Sequence, residues 1–285
     1  MKAGYLSKEA IVKFIDAALA EDIGEGDHSS LGAIPTNTQS KARLLVKDAG
    51  VLAGVELARM IFERFDLNLK VDVQLRDGDR IQKGDVAFVV SGPARSILST
   101  ERLVLNCMQR MSGIATYTAK LVKLIEGTDA KLMDTRKTTP NFRIAEKWAV
   151  LIGGGINHRF ALYDMVMLKD NHIDMAGGIA QAIANTKAYL QQQRKELKIE
   201  IETRSIEEVK QVLEVGGVDV IMLDNMNTAS MREAVRLIDG KYKTEASGGI
   251  TESTIRAVAE TGVDYISVGA LTHSVKSLDL SLKVF

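Results

Sequence analysis

Apolar and polar positions alternate along the first half of the chain without a regular repeat. Residues 7–20 carry Ile11, Val12, Ile15 and Leu19 at helical spacing, and Gly24 and Gly26 stop the helix. Residues 40–55 read as two strands around a turn at Asp48-Ala49-Gly50, and 56–65 as a helix. Strands are expected at 70–75 and 86–91, separated by Asp77-Gly78-Asp79 and Lys83-Gly84-Asp85. A long helix follows over roughly 99–126, with Gly113 as a candidate interruption. His28 reads as part of a polar loop, and Cys107 as packed on the long helix.

From Lys131 the pattern becomes strand, loop, helix. Six short apolar runs each end in polar, charged or glycine residues: 131–134, 165–168, 199–201, 220–223, 244–246 and 265–268. Glu202, Asp224, Ser247 and Gly269 follow four of these runs and are separated by 22, 23 and 22 residues, the length of one strand plus one helix. Helices are expected at 206–215, 228–238 and 251–261, the first with Ser205 and Glu208 at capping-box spacing. This reads as an α/β protein: an N-terminal α+β sandwich domain (1–110) and a C-terminal incomplete TIM-like barrel (111–285). The extreme C-terminus is expected to pack back on the first domain. Barrel enzymes build their sites from the C-terminal ends of the strands.

The bulk numbers exclude little. The chain has 285 residues, 46% of them hydrophobic and 26% charged, with a formal net charge of zero. Overall charge gives no support to nucleic-acid or anionic-membrane binding. The apolar stretches are too short to span a bilayer. The single cysteine forbids an intrachain disulfide, and the N-terminus lacks a signal peptide's apolar core, so a cytoplasmic location is expected.

Local charge is more informative. Residues 135–172 hold Arg136, Lys137, Arg143, Lys147, His158, Arg159, Lys169 and His172 against Glu146, Asp164 and Asp170. Basic groups at several strand ends converge on one pocket, whose ligand should be polyanionic. Gly153-Gly154-Gly155 beside His158 and Arg159 reads as a pocket wall. Glu202 and Asp224 can bind ribose hydroxyls, hold Mg²⁺ among phosphates or stabilise a positive transition state, or else pair with the basic cluster. Alternation also puts Glu200 on the same strand face as Glu202. Ser247-Gly248-Gly249 and the loop from Gly269 to His273 fall at the last two strand ends, where barrels often bind phosphate. Met108, Met111, Met165 and Met167 read as packing residues, and no zinc-ligand spacing is present.

These motifs together resemble quinolinate phosphoribosyltransferases, the carboxylating nicotinate-nucleotide pyrophosphorylases. The match runs from Ala18–Asp22 with Gly26-Asp27, through Glu101–Asn106, Asp134–Pro140, Glu146–Val150, Gly153–Arg159 and Leu168–His172, to Leu223–Asn225, Ala246–Ile250 and Leu271–Ser274. One departure is Asn141-Phe142, where the family usually has Gly-Leu, so this loop is expected to be stiffer or differently shaped. The resemblance implies transfer of phosphoribosyl from 5-phosphoribosyl 1-pyrophosphate to quinolinate with loss of CO₂, in de novo NAD biosynthesis. It implies substrate-associated Mg²⁺, with Glu202 and Asp224 as candidate ligands. It assigns quinolinate to Arg136, His158, Arg159 and Lys169, with Thr135 and Lys137 beside them. Lys137, Glu202 and Asp224 take the catalytic roles, and Ser247, Gly248, Gly249, Gly269 and His273 the phosphate side. It also implies a homodimer, or a hexamer, in which Arg102 completes the partner's site. The rival readings are a phosphoribosyltransferase for another heterocyclic acid, a non-catalytic phosphate-ligand sensor, and an aldolase-like barrel using Lys169 for a Schiff base.

Overall fold

A computed structural model describes residues 4–285 and divides into two compact units. The first comprises residues up to Ala119 together with Lys137–Gly154 and Ala270–Phe285. The second comprises Lys120–Arg136 and Gly155–Gly269. The units therefore do not follow a single cut at residue 110. The reason is local: one helix runs unbroken through that position.

In chain order the first unit begins with α1 (Lys8–Ile23), α2 (His28–Ala33), β1 (Gln39–Val46), β2 (Gly50–Val51), α3 (Val55–Phe65), β3 (Lys70–Val73), β4 (Arg80–Ile81), β5 (Val86–Pro93) and α4 (Ala94–Leu124). His28 thus opens a short helix and does not lie in a loop; Asp27 caps that helix by accepting the Ser30 N–H at 3.0 Å. The expected hairpin over 40–55 does not form. β1 pairs with β5, whereas β2 forms a separate ribbon with β4. The C-terminal strand, β12 (Leu280–Val284), pairs antiparallel with β1 and completes a four-stranded sheet of order β12-β1-β5-β3. Phe62 on α3 meets Phe88 on β5 edge to face at 5.9 Å, both fully buried.

Gly113 does not interrupt α4. A Cβ at this position would run into the backbone carbonyl of Lys276, so glycine admits the C-terminal segment against the helix. Cys107, Met108 and Met111 on the same helix are buried, and burial pushes the Cys107 thiol up to about 12. The segment Lys137–Gly154 carries α5 (Arg143–Ile152). Ahead of it, Phe142 N–H bonds Thr139 O at 3.2 Å across Pro140 and Asn141, and Asn141 takes φ 62°. Proline followed by a left-handed residue is the type II pattern, where asparagine is the best substitute for glycine. Phe142 then packs on Phe14 with ring centroids 5.6 Å apart. The Asn-Phe departure therefore keeps the turn and adds an aromatic anchor.

The second unit is a parallel sheet with helical crossovers. Its elements are β6 (Lys131–Met133), β7 (Val166–Leu168), α6 (Asp170–Ala176), α7 (Ile179–Gln192), β8 (Ile199–Thr203), α8 (Ile206–Val215), β9 (Val220–Asp224), α9 (Thr228–Ile238), β10 (Lys243–Ser247), α10 (Ile255–Ala259) and β11 (Tyr265–Ser267). The short α11 (Ala270–His273) begins the return to the first unit. Strand order is β6-β11-β10-β9-β8-β7, every pair parallel, and Ile156 bridges to Met133 beside β6. Six strands in this order form an incomplete barrel whose C-terminal ends share one rim.

Two local expectations need correction. α10 covers five residues, shorter than the helix expected over 251–261, because Thr251–Thr254 form a hydrogen-bonded turn ahead of it. At α8 only half of the capping box forms. Ser205 Oγ accepts the Glu208 N–H at 3.2 Å, but the Glu208 carboxylate turns to the Arg204 N–H at 2.6 Å and to the Arg204 guanidinium.

Candidate active site

Five of the six barrel strands end at or just before a candidate residue on the common rim. Thr135 and Arg136 follow β6, Lys169 follows β7, Asp224 and Ser247 end β9 and β10, and Gly269 lies just beyond β11. Glu202 differs from expectation: β8 continues through it to Thr203, so its side chain is strand-borne and buried rather than at a strand end.

Two arginines define the electrostatics of this rim. Arg159 donates to Met165 O at 3.1 Å and lies 3.6 Å from Met167 Sδ. Met165 and Met167 are therefore half-buried companions of this guanidinium and not core residues. Burial first, and the Arg136 guanidinium second, hold the Arg159 pKa below the usual arginine value. The Glu200, Asp164 and Glu202 carboxylates act on Arg159 in the opposite direction. Lys169 Nζ lies 3.0 Å from Glu202 Oε1, and the Asp170 N–H points at Glu202 Oε2 at 3.4 Å. Lys169 also has its own N–H accepted by His172 Nδ1 at 2.9 Å. So Glu202 does pair with the basic cluster.

Asp134, fully buried at the end of β6, fixes the glycine loop. Its two oxygens accept the His158 N–H at 2.9 Å and the Asn157 amide at 2.6 Å. His158 is itself buried with both ring nitrogens engaged by protein. Nδ1 accepts the Arg159 N–H at 2.8 Å, and Nε2 lies 2.8 Å from Glu200 Oε2 and 3.5 Å from Glu245 Oε2. With Nδ1 accepting, the neutral ring carries its proton on Nε2 and donates it to Glu200. In this arrangement His158 supports Arg159 from behind and offers no ring nitrogen to a ligand.

Glu200 and Glu245 come from alternate strands, which supply common interior layers in barrels. Both are 1% exposed. Burial pushes both carboxyls up, and for Glu245 the neighbouring Glu200 charge adds to the effect. Glu245 is absent from the sequence-derived site. Its one signal was an acidic residue in the middle of the short strand Thr244-Glu245-Ala246, a place where an unpaired charge would not be tolerated.

The last two rim loops depend on backbone conformation. Gly248 and Gly249 have φ +93° and +61°, and a Cβ on Gly248 would strike the Asn225 side chain. The Asn225 N–H in turn bonds Ser247 O at 2.9 Å, which ties the β9 loop to the β10 loop. Asp224 accepts the Asn225 side-chain amide at 2.9 Å.

Several predicted residues lie in the first unit. Lys137 is exposed directly after Arg136, at the point where the chain passes from one unit to the other. His273 is exposed on α11 with its Nδ1 2.6 Å from Ser274 Oγ, and Arg102 is exposed on α4. Two residues of the basic window are taken up within the first unit. Lys147 is fully buried on α5, and Arg143 donates to Thr138 Oγ1 at 2.9 Å.

Comparison with known proteins places this geometry. Residues 27–112 match the N-terminal domain of quinolinate phosphoribosyl transferase, and residues 114–283 match its C-terminal domain. The chain is 48% identical over 282 residues to a mitochondrial quinolinate phosphoribosyltransferase [decarboxylating] of Nicotiana glauca, covering 94% of this chain and 80% of that one. It is 43% identical to a probable nicotinate-nucleotide pyrophosphorylase [carboxylating] of Bacillus subtilis, covering 95% and 92%. Among solved structures, NadC of Streptococcus pyogenes superposes with a TM-score of 0.91 at 41% identity over 99% of both chains. With both domains matched in order and this identity sustained along the chain, it belongs to the quinolinate phosphoribosyltransferase family.

Proposed function

We propose that this protein transfers the phosphoribosyl group of 5-phosphoribosyl 1-pyrophosphate to quinolinate and releases pyrophosphate and CO₂, giving nicotinate mononucleotide for NAD biosynthesis. The observation that carries the reading is the rim itself: Arg136 and Lys169 follow β6 and β7, and Arg159 reaches the Met165 carbonyl at 3.1 Å, where the Arg136 charge opposes its own. A dicarboxylate relieves that repulsion, and two guanidinium forks fit two carboxylates. Lys169 adds a third cation at the next strand end, and His158 keeps Arg159 in place.

The chemistry then needs positioning and electrostatics more than proton transfer. The pyridine nitrogen donates its lone pair to C1 of the ribose as the C1–O bond to pyrophosphate breaks. Glu202 and Asp224, on neighbouring strands, stabilise the positive charge that develops at C1. The positive charge of the quaternised ring nitrogen then stabilises the electron pair left on C2 when the carboxylate departs as CO₂, and a proton from solvent adds to C2 to complete the ring. Gly248 and Gly249 offer backbone N–H groups to phosphate, and Lys137 and His273 are the cations we assign to phosphate.

Mg²⁺ fits Asp224 better than Glu202. Glu202 already carries the Lys169 ammonium, whereas Asp224 carries a neutral amide. A cation held by one carboxylate together with substrate phosphates is the usual Mg²⁺ arrangement. Bound there, it would neutralise charge on the leaving pyrophosphate.

Arg102, exposed on α4, is the residue assigned to a partner's site in a homodimer. Activity recovered on mixing Arg102→Ala with Arg136→Ala protein would support that assignment, and no recovery after proven subunit exchange would remove it. No helix among the described residues is long and apolar enough to cross a membrane. We place the protein in the cytoplasm, and fractionation of its host cells tests this.

Release of CO₂ from carboxyl-labelled quinolinate, with and without the phosphoribosyl donor and Mg²⁺, tests the reaction itself. Release dependent on both is expected. Turnover of nicotinate without CO₂ would replace this reading by that of a related transferase.

A further inference from the structure

Arg110 lies on α4 with an exposed side-chain fraction of 22%, and its partner Glu146 on α5 is fully buried. The guanidinium Nε and one terminal nitrogen both donate to Glu146 Oε1 at 3.0 Å. The other terminal nitrogen donates to Val275 O at 2.8 Å, and the first also donates to Thr272 O. One guanidinium therefore holds α5 and the 272–275 segment together.

Glu146 extends the network to a third segment. Its Oε2 accepts the Thr139 N–H at 2.9 Å and its Oε1 the Thr139 hydroxyl at 3.0 Å. Thr272, fully buried, donates its own hydroxyl to the backbone carbonyl of Lys137 at 2.8 Å. Lys137 and His273 sit on the two segments so joined. All of these contacts lie within the first compact unit.

We infer that Arg110 and Glu146 are positioning residues, which tie the Lys137 loop to the His273 loop and so fix the two basic side chains relative to each other for phosphate. The inference rests on the reaction proposed above. Two features favour positioning over plain structural support. A buried ion pair contributes little net stability, because desolvation offsets its attraction. And both carboxylate oxygens also accept from Thr139, on the segment that carries Lys137. Lysine cannot replace the arginine: a single ammonium cannot reach Glu146, Thr272 O and Val275 O at once, whereas the fork can.

Three variants test this: Arg110→Lys, which keeps the charge and loses the fork; Thr272→Val, which removes only the hydroxyl on Lys137 O; and Thr139→Val, which removes one bond to Glu146. Hydrogen exchange of each folded variant is measured over 137–142 and 271–276, alongside steady-state kinetics with both substrates and quinolinate binding without the donor. For Arg110→Lys and Thr272→Val, exchange should rise in both segments together. kcat/KM for the phosphoribosyl donor should fall on the order of 10- to 100-fold, the scale of a displaced catalytic group. Quinolinate affinity should change less than kcat/KM for the donor, since Arg159 and Lys169 lie on other segments. Thr139→Val should show the same pattern more weakly.

Reduced thermal stability with unchanged kinetics, or exchange rising in one segment alone, would overturn the inference. If the wild-type protein turns over no quinolinate, the proposed reaction fails, and coupled exchange in Arg110→Lys alone then decides whether the tie exists.

Discussion

Replacing Glu245 by glutamine should make the protein more stable at alkaline pH, and the gain should grow with pH. Burial pushes the Glu245 carboxyl up to about 8, with the adjacent Glu200 charge adding to it, and pushes Glu200 to about 7. The two titrate as a pair. A raised carboxyl pKa means that the folded chain keeps a proton the unfolded chain has released. By linkage, stability falls as pH rises above about 4.5, until it passes the folded value. Each pH unit in that window costs about 1.4 kcal/mol per group, so Glu245 alone accounts for at most about 5 kcal/mol by pH 9.

Glutamine matches the protonated acid in shape and can donate its amide to Glu200. Removing one carboxyl also lets Glu200 ionise more easily, so part of the effect is shared. We expect the variant to lie within about 1 kcal/mol of wild type at pH 5.5 and to be ahead by about 2–4 kcal/mol at pH 9, an order-of-magnitude figure from the same linkage. Urea denaturation of both proteins at pH 5.5, 7, 8 and 9 measures the difference, and other titrating groups cancel in it. A difference that does not change with pH would refute the raised carboxyl pKa. A variant that loses stability as pH rises would reverse its sign.

Three further outcomes follow from the geometry. Gly113→Ala should destabilise the protein by about 1–3 kcal/mol in denaturant, although alanine is favoured over glycine by about 1 kcal/mol in a helix interior, because the new methyl meets the Lys276 carbonyl. Asp224→Asn should raise the Mg²⁺ concentration for half-maximal CO₂ release severalfold, and Glu202→Gln less so, as read from Mg²⁺ titrations after chelation. Lys137→Ala and Arg102→Ala should each cost at least about 2–4 kcal/mol in kcat/KM, the size of losing a key electrostatic group; near wild-type kinetics for both would remove them from the site.

The barrel was legible in the sequence because each strand announces its own end. An apolar run that stops at Asp224 or Ser247 after a constant spacing can be read without knowing its neighbours. The bounds of α8 and α9 follow from the same periodicity. Pairing was not legible: β2 lies close to β1 in sequence, yet its partner is β4, 29 residues on by the register Val51 to Arg80. Nor was the placing of charge along a strand. Glu202 reads as a stop signal, but β8 runs past it because Lys169 and the Asp170 N–H receive its carboxylate. α5 was hidden by its composition: Glu146 and Lys147 look like surface residues, and both are fully buried. Gly113 looks like a helix breaker until the Lys276 carbonyl beside it is known. In each case the missing information is the identity of a partner distant in sequence.

The titration of this acid pair also bears on ligand binding. Arg136, Arg159 and Lys169 give the barrel rim three cations, and Glu202 neutralises one of them. If Glu200 and Glu245 were both ionised, their two negative charges would weaken the field that draws a dicarboxylate to Arg159. A proton on either carboxyl removes one of those charges and strengthens the pull on a ligand with two carboxylates. Quinolinate affinity should therefore weaken in the wild-type protein as pH rises past about 8, where Glu245 gives up its proton. In Glu245→Gln it should stay level over the same range, because that position has no proton to lose. Calorimetric titration of both proteins at pH 7, 8 and 9 compares them directly. Parallel weakening in the two would assign the loss to another group and leave the acid pair a role in packing alone.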